Sequence, residues 1–293
     1  MALSIEYDGC PLCGGDGEPH RIADCASHPL WSEGLPREIA WDRCMRCGHV
    51  HTRGYWSTEG IARLFRQALP TQVVGGDPDG KRMTWQPVVR RVVQMLGGYP
   101  IVAGRRPVWM DAGCGDGALV MTAAEYGFAS VGIDARAETV EALRALGYAA
   151  RLGDFMTVDI AAPVDVLSMM DVLEHLPFPA AALERARGLL ADDGVIVVSL
   201  PDSTSASWRV MEHQGANPYW AELEHHHNFS RASLAALLER CGFVIADFDI
   251  AYRYKAQIEV FARKSRSARP GGASGSYRKE GAWSWDSGIA RSS

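Results

Sequence analysis

Val108-Trp-Met-Asp-Ala-Gly-Cys-Gly-Asp-Gly-Ala118 is the stretch of this 293-residue chain that decides the fold. A short apolar run ends in Asp111. Three glycines follow at alternate positions, namely Gly113, Gly115 and Gly117. Glycine lets a backbone turn tightly and approach a ligand, and a helical pattern begins directly after the third glycine. The stretch therefore predicts a buried strand, a turn that can cradle a ligand, and a helix N-terminus.

Alternating patterns over residues 107–262 extend this unit into a layered domain. Apolar runs predict seven strands, at 108–111, 130–134, 149–152, 164–170, 194–200, 243–249 and 257–262. Helical periodicity predicts helices near 117–126, 136–146, 179–190 and 230–241, the last with Ser230 as N-cap and Gly242 beyond its end. This alternation is typical of a doubly wound α/β fold with a mostly parallel sheet. Too few residues join the last two strands for a crossover, so we expect them to be antiparallel.

Two further helices are predicted ahead of this domain. Apolar residues share one helical face over 58–69, and Pro70 ends the pattern. The second helix is predicted near 85–96, with Pro87 in its first turn. The Gly-, Asp- and Pro-rich residues 71–81 predict a linker between the two.

Four cysteines near the N-terminus form two C-x-x-C pairs. They are Cys10 and Cys13, then Cys44 and Cys47. Each pair can turn two thiolates toward one point, so the two pairs together predict a tetrahedral structural zinc site, a zinc ribbon. Two redox pairs, or knuckles that have lost their metal, are the alternatives. We expect residues 1–75 to form a small zinc-ribbon-like domain, 76–263 the α/β domain, and 264–293 a disordered basic tail containing Trp283 and Trp285.

Charge is distributed unevenly along the chain, whose net charge is −5. Seven of the 30 Lys and Arg, but only two of the 35 Asp and Glu, lie in 263–293, so these residues carry +5 and residues 1–262 carry −10. An acidic body argues against a nucleic-acid partner. No apolar run approaches the ~20 residues that span a bilayer, and no secretory pattern opens the chain. We therefore expect a cytoplasmic protein without a membrane partner.

The glycine-rich stretch and two acidic sites after it carry a family resemblance. Asp111 to Gly117 has the form D-x-G-x-G-x-G, and Val131-Gly-Ile-Asp134 and Gly153-Asp154 follow. This spacing resembles the class I S-adenosylmethionine (SAM)-dependent methyltransferases, as do Asp171-Val-Leu-Glu-His-Leu176 and residues 189–201. An NAD(P)-binding domain would instead carry G-x-G-x-x-G. The resemblance implies the seven-stranded methyltransferase sheet and SAM as cofactor.

The resemblance assigns parts of SAM to particular residues. The glycine turn would lie against the methionine portion, and Asp111 would orient that turn or accept a hydrogen bond from the amino group. A carboxylate at Asp134 can accept both ribose hydroxyls. The resemblance places Asp154 at the adenine amino group, Phe155 beside the adenine ring, and Met170 near the methionine end. Any of these acids could instead be a simple helix cap.

Methyl transfer needs an aligned nucleophile and, for a hydroxyl or carbon acid, a base. His175 follows the fourth predicted strand, and His225 follows Glu224 directly before the last helix. A glutamate beside a histidine can orient it and support its charged form. We take Glu224, His225 and His175 as candidate catalytic residues. The alternative is a polar surface or capping segment.

A narrower resemblance joins the N-terminal cysteine pairs to this histidine segment. Glu224-His225 with Phe229-Ser230 has the form E-H-x-x-x-F-S. With a zinc ribbon and a SAM domain, this resembles the deoxysugar methyltransferases of antibiotic pathways, including the sugar 3-C-methyltransferases. In those enzymes the Glu-His pair serves proton abstraction. They also carry a further C-terminal domain that this sequence does not show, so O-, N- and C-methylation stay open.

The function predicted from these features is methyl transfer from SAM to a small-molecule acceptor: a sugar, a nucleotide-sugar or a natural product. Two alternatives remain at this point. A start of Cys-Pro-Leu-Cys also resembles the rRNA guanine methyltransferases, which need a basic groove. A non-catalytic adaptor built on a SAM domain is the second alternative.

Overall fold

The computed structural model describes residues 2–64, 73–98, 105–251 and 256–265. The basic tail with Trp283 and Trp285 was predicted to be disordered, and apart from its first two residues it lies outside these ranges. The second half of the helix predicted over 58–69 also lies outside them.

The described residues form thirteen strands and seven α-helices. The strands are β1 (Ser4–Glu6), β2 (Gly17–Asp24), β3 (Glu38–Cys44), β4 (Val50–Thr52), β5 (Gly54–Trp56), β6 (Val108–Ala112), β7 (Ala129–Asp134), β8 (Ala149–Leu152), β9 (Val164–Met170), β10 (Leu190–Pro201), β11 (His227–Asn228), β12 (Phe243–Ile250) and β13 (Gln257–Lys264). The helices are α1 (Thr58–Leu64), α2 (Pro78–Met95), α3 (Ala118–Glu125), α4 (Ala137–Ala145), α5 (Pro179–Leu189), α6 (Ala206–His213) and α7 (Arg231–Arg240).

A seven-stranded sheet runs in the order β12-β13-β10-β9-β6-β7-β8. Strands β6 to β10 pair in parallel, whereas β13 is antiparallel to both β10 and β12. The predicted doubly wound, mostly parallel α/β fold is confirmed, and so is its antiparallel edge. Strand order reverses between β6 and β9, and the crevice at such a point is where open α/β sheets bind ligands.

Helices cover both faces of this sheet. Trp109 and Val166 point to one face, where they share a core with α2 and α3. Met110 and Leu167, the next residues along the same strands, point to the other face and pack with α5 and α7. Because both faces are buried, these strands read as continuous apolar runs. Helix α7 ends as predicted: the Ser230 side chain accepts a hydrogen bond from Ser233 N–H, and Gly242 follows with φ 78°.

Helix α2 corrects the sequence prediction. It begins at Pro78 rather than near Trp85, so residues 78–81 are helical and not part of a linker. Asp77 caps the helix by accepting a hydrogen bond from Gly80 N–H. Pro78 occupies the first turn, where backbone N–H groups have no partner within the helix, so the missing N–H of proline costs no helical hydrogen bond. Pro87 lies inside the helix, where it removes one backbone hydrogen bond. Burial of the flanking Trp85, Val88 and Val89 against the sheet offsets that loss.

The N-terminal unit, residues 2–64, builds a second sheet in the order β11-β4-β3-β2. Strand β11 comes from the far end of the chain, so that His227 pairs with His51 and Asn228 with Val50. A shared apolar core joins this unit to the segment after β10, through Trp41, Trp56, Trp208, Trp220 and Leu223, among others. The sequence did not predict that β11 would add a strand to the sheet of the N-terminal unit.

Across the ranges that the structure describes, none of the helices is both long enough and apolar enough to cross a membrane.

Candidate active site

The glycine turn after β6 adopts left-handed backbone at each glycine. The φ angles are 71° at Gly113, 56° at Gly115 and 72° at Gly117, values that L side chains rarely adopt. Gly113 N–H donates to Ile133 O over 2.8 Å, which anchors the turn to β7. The glycines were predicted to shape the turn, and these angles give the physical reason.

The space around the turn differs from one glycine to the next. A Cβ on Gly117 would lie 2.3 Å from Leu143 Cδ2, and a Cβ on Gly113 would lie 2.8 Å from Val172 Cγ2. A Cβ on Gly115 would meet its nearest atoms only at 4.0 Å, one of them on Arg136. Gly113 and Gly117 are therefore packing positions, whereas a Cβ on Gly115 would make only ordinary van der Waals contacts.

Asp134 lies at the end of β7 and is buried. One carboxylate oxygen accepts a hydrogen bond from Gly115 N–H at 2.9 Å, and the other accepts from Arg136 N–H at 2.9 Å. The Arg136 guanidinium pairs with both oxygens, at 3.0 and 3.2 Å. Asp134 thus holds the glycine turn in place at the strand edge. Sequence reasoning did not predict Arg136, although an arginine two residues after an acidic strand end is a readable signal.

The remaining predicted cofactor residues occupy the same edge of the sheet but make different contacts. Asp111 accepts a hydrogen bond from Ser168 Oγ at 2.6 Å. Asp154 accepts one from Met156 N–H at 2.8 Å, and burial raises its pKa. Phe155 is buried, with the Arg185 guanidinium carbon 5.5 Å from its ring centroid.

Met170, the last residue of β9, is buried in the core that α2 and α3 share with the sheet. The next residue, Asp171, has φ 59° and accepts a hydrogen bond from Gln257 Nε2 at 2.8 Å. Aspartate adopts this conformation more readily than most residues, and the same carboxylate oxygen also accepts a hydrogen bond from Ser199 Oγ on β10 at 3.4 Å. Sequence reasoning quoted Asp171 within a motif but did not include it as a site residue.

The candidate catalytic residues converge beside this edge. His175 ends a short 3-10 turn, residues 173–175, and Val172 just before that turn contacts Gly113. The rings of His175 and His225 meet edge to face, with their centroids 4.6 Å apart. A carboxylate oxygen of Glu174 and a ring nitrogen of each histidine lie within 4.8 Å of one another. The structure therefore brings together the two histidines that the sequence offered as alternatives.

Burial keeps these histidines neutral. It lowers the pKa of His175 to about 4 and that of His225 well below its ordinary value. Burial raises the pKa of Glu224 to about 7, and the nearby charge of Glu222 adds to this. Neutral imidazoles can accept a proton, and a carboxyl group titrating near neutrality can exchange one.

The segment 220–228, which contains Glu224 and His225, is held from both sides. From the N-terminal unit, Trp41 Nε1 donates to Trp220 O at 2.9 Å and Trp56 Nε1 donates to Leu223 O at 2.6 Å. From the α/β domain, His175 Nδ1 lies 3.1 Å from Glu224 O. Backbone groups without regular secondary structure need such partners when they are buried.

The four cysteines of the N-terminal unit cluster, with their Sγ atoms all within 4.8 Å of one another. The Sγ atoms of Cys10 and Cys47 are 3.8 Å apart, and those of Cys13 and Cys44 are 3.4 Å apart. Tetrahedral zinc with Zn–S bonds of about 2.3 Å requires sulfurs about 3.8 Å apart. Burial acts to raise the pKa of Cys44, but hydrogen bonds from Cys47 and Arg46 N–H outweigh it and lower the pKa to about 7. The donor set and spacing fit a zinc ion.

With the geometry described, the chain can be compared with known proteins. A family model described as a methyltransferase domain matches residues 57–247, about two thirds of the chain. The chain belongs to this family. The matched range contains the glycine turn, Asp134, His175 and His225, so the methyltransferase domain includes the whole candidate site apart from the cysteines.

Curated relatives match shorter stretches. An ubiquinone biosynthesis O-methyltransferase of Actinobacillus pleuropneumoniae is 30% identical over 114 residues, which cover 35% of this chain and 49% of that protein. A trans-aconitate 2-methyltransferase of Methylobacterium radiotolerans is 33% identical over 139 residues, covering 45% and 52%. The chain thus spans about half the length of the curated relatives it matches.

Solved structures share the fold. A 1,6-didemethyltoxoflavin-N1-methyltransferase of Burkholderia thailandensis, with bound S-adenosylhomocysteine, is similar with a TM-score of 0.53 and 20% identity. The match covers 85% of this chain and 99% of that one. A magnesium protoporphyrin IX methyltransferase of Synechocystis PCC 6803, with bound SAH, gives a TM-score of 0.50 at 21% identity, covering 71% and 96%. At these identities the likeness establishes the fold alone.

Proposed function

We propose that this chain transfers a methyl group from SAM to a small-molecule acceptor. The observation that carries the proposal is the left-handed glycine turn after β6, tied to Asp134 through Gly115 N–H. Three glycines with left-handed backbone keep side chains off this turn, so a ligand can lie close against its backbone.

The chain's own residues supply the contacts that SAM needs. Asp134 would receive the ribose hydroxyls, and the turn would receive the methionine portion, with Asp111 and Met170 at the same edge. Asp154 and Phe155 would face the adenine. SAM supplies a methyl group already activated by its sulfonium, so the protein must align the acceptor and exclude water.

Arg136 pairs with both oxygens of Asp134, the same carboxylate that would accept the ribose hydroxyls. Binding of the ribose would therefore compete with this ion pair. Arg136 either moves aside or shares the carboxylate with the ribose.

Glu224, His225 and His175 would manage the proton of the acceptor. His225 is the proposed base, since its Nδ1 is buried and has no hydrogen-bond partner among the described residues. Glu224 would support the charged imidazolium that forms, and His175 would steady the segment through Glu224 O.

The acceptor is proposed to be a sugar, a nucleotide-sugar or another natural product that offers a hydroxyl, amine or carbon. The curated relatives named as a ubiquinone biosynthesis O-methyltransferase and a trans-aconitate 2-methyltransferase support a small acceptor. The acidic balance of the described body also favours a small molecule over RNA.

Structural zinc bound by Cys10, Cys13, Cys44 and Cys47 is part of the proposal. We assign it to a zinc-ribbon-like domain of residues 1–75, ahead of a methyltransferase domain of residues 76–263. In the described residues these two parts share one apolar core, so zinc would stabilise the surface on which the 220–228 segment rests.

Calorimetric titration of the full, zinc-loaded chain with SAM and with S-adenosylhomocysteine tests the cofactor. Radiolabelled methyl transfer to a panel of deoxysugars, nucleotide-sugars, phenols and carboxylic acids then tests the reaction. We expect saturable binding of both compounds and label on a small molecule. Binding of NADH but not SAM, or label on RNA alone, would contradict the proposal.

A further inference from the structure

The β2–β3 loop, residues 25–37, reaches the 220–228 segment through His28. Nε2 of His28 lies 2.8 Å from Oε2 of Glu222 and 3.9 Å from Oε2 of Glu224. The His28 side chain is 9% exposed and that of Glu224 is 14% exposed. The contact joins residues 194 positions apart, and it is shielded from most of the solvent.

Backbone contacts fix the orientation of the His28 ring. Leu30 N–H donates to Nδ1 of His28 at 3.2 Å, so Nδ1 acts as the acceptor. In the neutral ring the proton must then sit on Nε2, which donates to the Glu222 carboxylate. The loop therefore presents a hydrogen-bond donor, Nε2–H of His28, to the carboxylates of Glu222 and Glu224.

The two carboxylates need such a partner. Glu222 and Glu224 approach the His28 ring from the same segment, with carboxylate oxygens within 4.8 Å of each other, and like charges at this distance repel. Oε2 of Glu224 is buried without a hydrogen-bond partner in the described part of the chain. The ionisable side chains whose charges act on Glu224 are Glu222 on the same segment and His28 on the loop.

We infer that His28 is a positioning residue for methyl transfer: it holds Glu222, and with it Glu224, in place on the segment that carries the candidate base His225. The role given to His225 rests on the proposed function, whereas the His28 contact does not. The N-terminal unit would thus take part in the reaction site through this loop, in addition to any role in stability.

The charges of the buried groups agree with this geometry. Burial raises the pKa of Glu224 to about 7 and Glu222 raises it further, whereas His28 acts in the opposite direction. Burial lowers the pKa of His28, but the hydrogen bond and charge of Glu222 outweigh it, so the pKa of His28 is raised overall. Loss of His28 would therefore leave Glu224 protonated at higher pH.

The experiment follows the Glu224 carboxyl directly. The full, zinc-loaded chain carries ¹³C at glutamate Cδ, is titrated by NMR from about pH 5 to about pH 9, and Glu224 is assigned with Glu224→Gln. In His28→Gln, which keeps a donor but cannot be protonated, we expect the Glu224 midpoint to rise by at least about half a pH unit. His28→Arg supplies a permanent cation and should lower the midpoint below that of His28→Gln.

His20→Gln is the matched control. His20 lies on the same hairpin but is exposed, and its ring packs against Trp220 at 5.6 Å instead of contacting Glu222 or Glu224. The Glu224 midpoint should not move in this variant. Urea unfolding of each variant reports whether the fold is intact, so a global loss of structure is distinguished from a local change of charge.

The outcomes separate the two proposals. An unchanged Glu224 midpoint in His28→Gln overturns the role of His28 whatever the methyl-transfer assays show. With an acceptor in hand, the acid limb of kcat/KM should shift with the midpoint while SAM affinity stays constant. A shifted midpoint in a chain that binds no SAM would refute the proposed function and leave the His28 contact standing.

Discussion

The buried histidines should make the fold labile to acid. Burial lowers the pKa of His175 to about 4, that of His227 to about 3, and those of His225 and His226 well below their ordinary value. In the unfolded chain each returns to about 6.5. Below that pH the unfolded state binds more protons than the folded state, so the free energy of unfolding falls as the pH falls.

The size of the effect follows from these shifts. Between about pH 7.5 and about pH 5.5, each histidine becomes mostly protonated in the unfolded chain only, which destabilises the fold by about 1.4 kcal/mol. Four of them give a loss of about 5.5 kcal/mol. Glu224 has the opposite effect, because its pKa is raised to about 7 in the folded chain and the folded state therefore gains a proton over this pH range. This offsets about 2 kcal/mol of the stability lost through the histidines. For these five residues the net loss of ~3.5 kcal/mol is a large share of a typical domain's stability.

Urea unfolding followed by tryptophan fluorescence at the two pH values measures this loss. His226→Gln should remove one proton-linked group and reduce the loss by about 1.4 kcal/mol. His213→Gln, at the exposed end of α6, is the matched control and should leave the loss unchanged. Equal or greater stability at the lower pH would refute the assignment of these histidines as neutral and buried.

Three further predictions concern the cofactor, the base and the metal. Asp134→Ala should weaken SAM binding at least tenfold, or by about 1.4 kcal/mol, because it removes a charged hydrogen-bond acceptor. Calorimetry measures this affinity, and it should find no change in the control Glu138→Ala, which removes an exposed acid on α4. His225→Gln should lower turnover without changing SAM affinity; full turnover would move the base to His175 or remove the need for one. A strong chelator should release zinc and unfold the N-terminal unit first, and metal analysis that found no zinc in the purified chain would contradict this.

The parallel sheet was predictable because its signals are local. Strands β8 and β9 occupy the predicted residues, since each is a short apolar run bounded by turn residues. The glycine turn was readable for the same reason. Helix α2 was misplaced because Asp77 and Pro78 resemble a linker until the capping hydrogen bond is seen. Pro87 was misassigned because burial of the neighbouring apolar face decides whether a helix tolerates proline, and no local pattern reports that burial.

The candidate site was predictable only in part, because its contacts join distant parts of the chain. The sequence indicated Glu224 and His225 from their neighbours along the chain. It gave no sign that β11 pairs with β4, nor that His28 lies 2.8 Å from Glu222. Asp171 carried a signal, an acid at a strand end, but its φ of 59° appears only in the fold.

The 220–228 segment explains why the two parts of the chain act on one site. Strand β11 is only two residues long, and a 3-10 turn covers just residues 218–220, so most backbone groups between them lack regular partners. Trp56 and Thr52 bind this backbone from the N-terminal unit, at Leu223 O and His226 O, while Glu174 O accepts from His226 N–H at 2.7 Å. Neither part alone satisfies the segment. The position of the candidate base therefore depends on both parts, and a change in the N-terminal unit can alter the chemistry without touching the cofactor.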